Sequence, residues 1–179
     1  MQTPNPNLIV ISGGPGAGKT TLLHTLQNRG YACVPEVARQ IIQEQRSIGG
    51  HALPWSDTTA YTELMLDRSI SSFLEHENGR RLTFFDRGLP DTLAYAHIIH
   101  LPDPLPIEQA CSQHRYAEPA IYENDTERTQ TFSEAIAVFE EIVNVYISCG
   151  YHPIFLPQCG PEERADFVLR HLKCANVAT

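Results

Sequence analysis

Residues 13–20 read Gly-Gly-Pro-Gly-Ala-Gly-Lys-Thr, a complete phosphate loop of the form G-x-x-x-x-G-K-[ST]. The pattern constrains the fold because its chemistry works only at a strand-to-helix turn. Glycines let consecutive backbone N–H groups curl round an anion, and the helix that follows adds the positive end of its dipole. The flanks fit: Asn7 to Ser12 is an apolar run suited to a buried parallel strand, and Thr20 to Leu26 continues as a helix. Gly13, Gly14, Pro15, Gly16, Ala17, Gly18, Lys19, Thr20 and Thr21 are therefore the candidate nucleotide-binding residues. Lys19 is expected to reach the β- and γ-phosphates, and the Thr20 hydroxyl to serve Mg²⁺. A glycine-rich turn with a surface lysine is the plainer alternative, but Gly-Lys-Thr opens the helix in register.

The rest of the chain alternates in kind. Leu22, Leu23 and Leu26 mark the inner face of the first helix, and Gly30 supplies its left-handed stop. Tyr31–Val34 reads as a second strand, with a helix opening at Glu36. A long amphipathic helix is expected over 57–77, with Tyr61, Leu64, Met65, Ile70, Phe73 and Leu74 inward. Arg81–Asp86 is a third strand, Pro90–Ile99 a helix, Phe132 to Gly150 another, His152–Leu156 a last strand and 161–172 a last helix. This predicts an α/β fold, a three-layer P-loop NTPase sandwich of kinase-like type with a mostly parallel sheet of about five strands. Between Leu101 and Asn124 a fourth core strand is wanted. The prolines at 102, 104, 106 and 119 make it short or missing. One nucleotide-binding domain is expected over 1–179, with a lid near 112–131.

The chain of 179 residues carries a net charge of −8, which argues against nucleic-acid or anionic-membrane partners. No long apolar stretch and no leader-like start are visible, and five scattered cysteines suit reduced thiols, so a cytoplasmic location is expected. Lys19 and Lys173 are the two lysines among 13 basic residues. Neither can supply the Asn-Lys-x-Asp motif that reads guanine in classical GTPases, so a Ras-like switch is not expected. His97-x-x-His100 and Cys111-x-x-His114 have ligand-like spacing, but no second Cys-x-x-Cys accompanies them, and a helix face is the simpler reading.

The second half of the site lies at the other strand ends. Leu82 to Asp86 is four bulky residues and then an acid, which places the Asp86 carboxylate at the ligand-binding edge of an open sheet. There it can hold Mg²⁺ or take a proton from an attacking hydroxyl. Arg87 follows at once. Glu36 holds the matching place after the second strand, as acceptor ligand or general base, with a first-turn helix acid as the plain alternative. Arg39 is within i,i+3 reach of Glu36, so a surface pair competes with substrate binding. Arg128 is the preferred lid arginine for the transferring phosphoryl group, and Arg115 the second.

These residues resemble the small AAA-type P-loop family related to the ribosylnicotinamide kinase domain of bacterial NAD regulators, and to nucleoside and nucleotide kinases. A GTP-binding TRPL-translocation-defect protein is a more distant relative. The resemblance rests on Ile11 to Thr21, Pro35-Glu36-Val37-Ala38-Arg39, and Phe85-Asp86-Arg87-Gly88 with Asp91 and Tyr95. It continues through Ile121-Tyr122, Asp125, Glu127-Arg128, Gln130 to Phe132 and Gly150-Tyr151. The family pattern carries an apolar strand and a Pro-Pro-Trp-like turn just before Ile121-Tyr122, and here His114 to Pro119 is shorter.

The expected function is a Mg²⁺·ATP-dependent phosphotransferase, with GTP as an alternative donor, acting on a small nucleoside-like acceptor. Lys19, Asp86, Arg128 and Glu36 are the expected catalytic residues. Glu36, Arg39, Arg87 and Arg115 are expected to bind substrate, and Thr20 and Asp86 to hold the metal. A nucleotide-dependent regulatory ATPase or GTPase without a small acceptor is the alternative. An oligomeric AAA+ motor is not expected at this length, and the oligomeric state is left open.

Overall fold

The computed structural model of the chain describes residues 2–14, 17–117, 120–122 and 132–175. Among them five strands are β1 (Leu8–Gly13), β2 (Ala32–Val34), β3 (Thr83–Asp86), β4 (Ala120–Tyr122) and β5 (Ile154–Leu156). Seven helices intervene: α1 (Lys19–Asn28), α2 (Val37–Ile48), α3 (Thr58–Glu77), α4 (Leu89–Ile98), α5 (Leu105–Gln113), α6 (Phe132–Ser148) and α7 (Pro161–Ala175). The strands form one parallel sheet in the order β2-β3-β1-β4-β5.

The β1 sequence explains why the sheet is covered on both sides. Its six residues are all buried, and the period of two splits them between faces. Leu8 and Val10 join a core with Phe85, Phe73 of α3, Leu89 and Leu93 of α4, and Ile142 of α6. Ile9 and Ile11 join Leu22 and Leu26 of α1, Phe84, and Val168 of α7. Each such fully buried aliphatic side chain contributes about 1.5–3 kcal/mol of burial.

The helices leaving β1 and β3 therefore take opposite faces of the sheet, which opens a crevice between the C-terminal ends of these neighbouring strands. Open α/β sheets bind ligands at such a point. The P-loop leaves β1 there, and Asp86-Arg87 leaves β3 beside it.

The fourth strand exists and is short. Ala120, Ile121 and Tyr122 pair with Ile11, Ser12 and Gly13 at the upper end of β1. Lower down, the chain is fastened to the same side by Asn5 N donating to Arg115 O at 2.8 Å and Ala117 N to Leu8 O at 2.8 Å. The expected lid span of 112–131 is corrected accordingly. Residues 112–113 end α5, 114–117 belong to this fastening, with Tyr116 1% exposed, and 120–122 to the sheet. The remainder, 118–119 and 123–131, lies outside the described residues.

Most expected elements differ from those observed by a residue or two at their ends. In α3 the buried stripe is Tyr61, Met65, Ser69 and Phe73, one residue per turn. Leu74, expected inward, lies about 100° round the helix from Phe73 and is 44% exposed.

Candidate active site

At the turn out of β1, Gly13 and Gly18 adopt φ of 135° and 86°, left-handed conformations that favour glycine. Gly18 caps α1, so the helix begins at Lys19 itself. The Lys19 side chain folds back over the loop, with Nζ donating to Gly13 O at 3.1 Å and Gly14 O at 2.8 Å. The ammonium is buried, and desolvation together with the nearby Arg87 charge lowers its pKa to about 8. Ala17 is buried, whereas Thr20 and Thr21 are exposed at the helix start. Pro15 and Gly16 lie outside the described residues.

Asp86 ends β3 in the register Ile11↔Asp86, one strand away from the loop. Its carboxylate is buried, and Oδ1 has no hydrogen-bond partner among the described residues. Burial pushes its pKa up, as does Glu36, while Lys19 and Arg87 pull it down. A buried acceptor left open costs free energy, so such an atom points to a group that arrives from outside.

The next residue makes the turn. Arg87 takes φ of 68°, uncommon for a side chain with a Cβ. The conformation aims the guanidinium back into the crevice, where Nε donates to Glu36 Oε1 at 2.9 Å and Nη1 to Asp91 Oδ1 at 3.0 Å. Burial opposes its charge, but Asp91 and Glu36 outweigh burial and hold the pKa above the ordinary value. Gly88 then has no room for a side chain: a Cβ there would sit 2.9 Å from Val10 Cγ2 and 3.1 Å from Tyr116 Cε2.

Asp91 is the hub, and sequence reasoning did not assign it a site role. Both oxygens are fully engaged. Oδ1 accepts from Ser12 Oγ and from Arg87, and Oδ2 accepts from Gly88 N at 2.9 Å and Tyr146 Oη at 2.6 Å. One carboxylate thus ties β1, the β3–α4 turn and α6 together. An acid at the third position of a helix opened by glycine is a visible capping signal, but capping alone predicts only the Gly88 bond.

Glu36 sits at the N-cap position of α2, after β2. Oε1 takes Arg87, and Oε2 has a long contact of 3.7 Å with Arg39. The Arg39 side chain is 64% exposed, so this i,i+3 pair is a surface contact worth at most a fraction of a kcal/mol. Above these groups opens a cavity of about 310 Å³ between α2, α3, α4 and α6. Glu36, Asp86, Arg87 and Asp91 line its charged end. Tyr61, Met65 and Tyr95 line the other, with the two tyrosine rings edge to face at 5.7 Å. Burial raises the pKa of both phenols, Tyr61 to about 12, so both are neutral donors near neutrality.

The structure thus gathers Lys19, Glu36, Asp86 and Arg87 at one edge, with Arg39 on its rim. Arg115 is not among them, and its expected substrate contact is corrected. It lies at the opposite, N-terminal edge of the sheet, 4% exposed. Its guanidinium donates to the carbonyls of Cys149 and Gly150 and packs 4.1 Å from the Tyr151 ring centroid. Arg128 lies outside the described residues. His97 pairs with Glu141 at 2.7 Å, and His114 packs against Phe73.

Among the described residues no helix is long and apolar enough to cross a membrane. No curated protein matches the chain in sequence. Solved structures share its fold. A NadR protein in complex with NR aligns at TM-score 0.70 and 17% identity, over 92% of this chain and 49% of that one. Thymidylate kinase from Ehrlichia chaffeensis aligns at 0.66 and 14%, over 95% and 100% of the two chains. Shikimate kinase from Acinetobacter baumannii, in complex with shikimate, aligns at 0.57 and 15%, over 94% of each. The chain therefore spans about half the length of the NadR protein. A family model described as an AAA domain matches residues 8–164, from the first strand into α7. The fold is that of the P-loop kinases, and the chain belongs to this AAA-domain family.

Proposed function

We propose that the chain is a phosphotransferase that moves the γ-phosphoryl group of ATP to a hydroxyl of a small acceptor bound in the cavity between α2, α3, α4 and α6. The observation that carries this reading is the open oxygen of Asp86, buried between the Lys19 ammonium and a cavity of about 310 Å³. That volume falls at the lower end of ligand pockets, as a small metabolite requires. A regulatory nucleotide switch needs no such second cavity.

The roles follow from position. P-loop amides and Lys19 would bind the β- and γ-phosphates once Lys19 turns from its two loop carbonyls towards them. Thr20 and Asp86 fit Mg²⁺, a hard cation that takes oxygen donors and is commonly held by one or two protein groups plus the phosphates. When bound, that ion would neutralise charge on the phosphate oxygens. Glu36 lines the cavity with one oxygen anchored by Arg87 and the other free of close partners, which suits it to orient the acceptor hydroxyl and take its proton. The hydroxyl oxygen forms the new bond to phosphorus as the bond to the β-phosphate oxygen breaks. Arg128 is proposed to add its charge to the transferring group.

The cavity also constrains the acceptor. Three carboxylates and one guanidinium line it, and that guanidinium is already neutralised by two of the carboxylates. An acceptor carrying its own phosphate or carboxylate would meet net negative charge, whereas a neutral or cationic nucleoside-like molecule would not. Its ring would lie against Tyr61 and Tyr95.

The test is an ATP-consumption screen with nucleosides, nucleoside monophosphates and sugars, with GTP in parallel. Nucleosides should raise turnover, and Glu36→Gln should lower kcat by about 10²–10⁴-fold with nucleotide affinity retained. Asp86→Asn should raise the Mg²⁺ concentration needed for half-maximal turnover. Tight nucleotide binding with slow hydrolysis that no acceptor accelerates would favour the regulatory reading instead.

A further inference from the structure

Away from the nucleotide edge, two thiols from separate elements meet. Cys111 lies in the last turn of α5 and is 2% exposed. Cys149 directly follows α6 and is half-buried. Both line a cavity of about 250 Å³ with Ser112, Ser148 and Arg115, Cys149 packs against the core cluster that holds Cys111, and each thiol perturbs the other's titration. The backbone holding Cys149 is fixed, since its carbonyl takes Arg115 Nη1 and its N–H donates to Val145 O at 2.9 Å.

We propose that Cys111 and Cys149 form a reversible dithiol–disulfide site, oxidised by low-molecular-weight disulfides of the glutathione class that enter through this cavity. Neither thiol belongs to the nucleotide or acceptor site, and the inference stands apart from the phosphotransferase reading.

The two sulfurs have different parts. Cys149 is the reachable one. The hydrogen bond from Cys111 lowers its pKa to about 7; burial opposes this, and the Ser148 hydroxyl and Arg115 charge support it. A thiol with a pKa near ambient pH is the best attacker in exchange. Cys111 is pushed far up by the same bond and by burial, so it stays protonated until its turn. In the first step the Cys149 thiolate attacks one sulfur of the small disulfide, forming a mixed disulfide and expelling one thiolate. The Cys111 sulfur then attacks Cys149, its proton passing to the second departing thiolate. Two protein thiols are oxidised, and one small disulfide is reduced to two thiols.

The resulting bond would join α5 to the end of α6. It closes a loop containing β4 and the whole of α6, which lends Val138 and Ile142 to the acceptor cavity. Loop-closure entropy for that span predicts a Tm about 10 °C higher in the oxidised protein.

The experiment equilibrates the full chain with reduced and oxidised glutathione mixtures, traps free thiols by alkylation and maps peptides without reduction. The expected result is one linked pair, Cys111 to Cys149, reversed by dithiothreitol. Cys149→Ser should leave Cys111 unoxidised, whereas Cys111→Ala should leave a stable mixed disulfide on Cys149. The wild-type map decides the question alone, without either variant. Alkylation of both thiols in the most oxidising mixture overturns the proposal, as does linkage of either to Cys33, Cys159 or Cys174, or an unresolved mixed disulfide at Cys149.

Discussion

Raising the pH from 7.5 to 9 should weaken nucleotide binding through one side chain. Lys19 is buried against its own loop carbonyls with Arg87 nearby, and its pKa in the free protein is about 8. Phosphate contact favours the ammonium, so the bound state has the higher pKa and binding takes up a proton. With that value, about three-quarters of free Lys19 is charged at pH 7.5 and about a tenth at pH 9. The apparent Kd for ADP should therefore rise about eightfold across this interval, or about 1.3 kcal/mol. The phosphates of ADP are already deprotonated there and add little slope of their own. Titration calorimetry in two buffers of different ionisation enthalpy measures the proton directly, and about half a proton per nucleotide is expected near pH 8. Lys19→Arg, charged at every pH used, should abolish both the slope and the uptake. A wild-type affinity flat over this range, with no proton taken up, would refute the reasoning, because Lys19 would then be fully charged despite its burial.

Other perturbations read other parts of the site. Asp91→Asn should break the buried pair with Arg87 at a cost of about 3–5 kcal/mol, seen as a Tm lower by roughly 6–20 °C and a fall in kcat. Gly88→Ala drives a methyl into Val10 and Tyr116, and chemical denaturation should show about 1–3 kcal/mol of lost stability. Arg115→Met should leave the Cys149 and Gly150 carbonyls short of a donor and cost about 1–3 kcal/mol. In that variant kcat and KM of the folded enzyme should match the wild type, and a selective loss of kcat would restore Arg115 to the active site.

How much could be read from sequence followed how local each signal was. The P-loop, Asp86 at a strand end and Glu36 at a helix start are each determined by a handful of adjacent residues, and the structure gathers them at one sheet edge. Asp91 was legible only as a helix cap, because two of its four donors arrive from Ser12 and Tyr146 through tertiary packing, and Arg87 reaches back to it only through its left-handed turn. Arg115 misled for the opposite reason. A lone arginine beside a proline-rich segment looks solvated, and only the fold brings two carbonyls and the Tyr151 ring to it. The short β4 was ambiguous because β1 is paired by three strand residues above and by a non-strand fastening below, which no period-of-two pattern encodes.

The place of β1 in the sheet has a consequence for synthesis. It leaves the ribosome first among the strands, yet both its partners come much later: Thr83 to Asp86 on one side and Ala120 to Tyr122 on the other. Until then a six-residue strand with apolar side chains on both faces stands with two open edges, the condition in which chains pair wrongly with one another. The strand that leads into the P-loop is thus the one left waiting longest. Slow translation beyond the P-loop should lower the soluble yield of this protein more than it lowers the stability of what has folded.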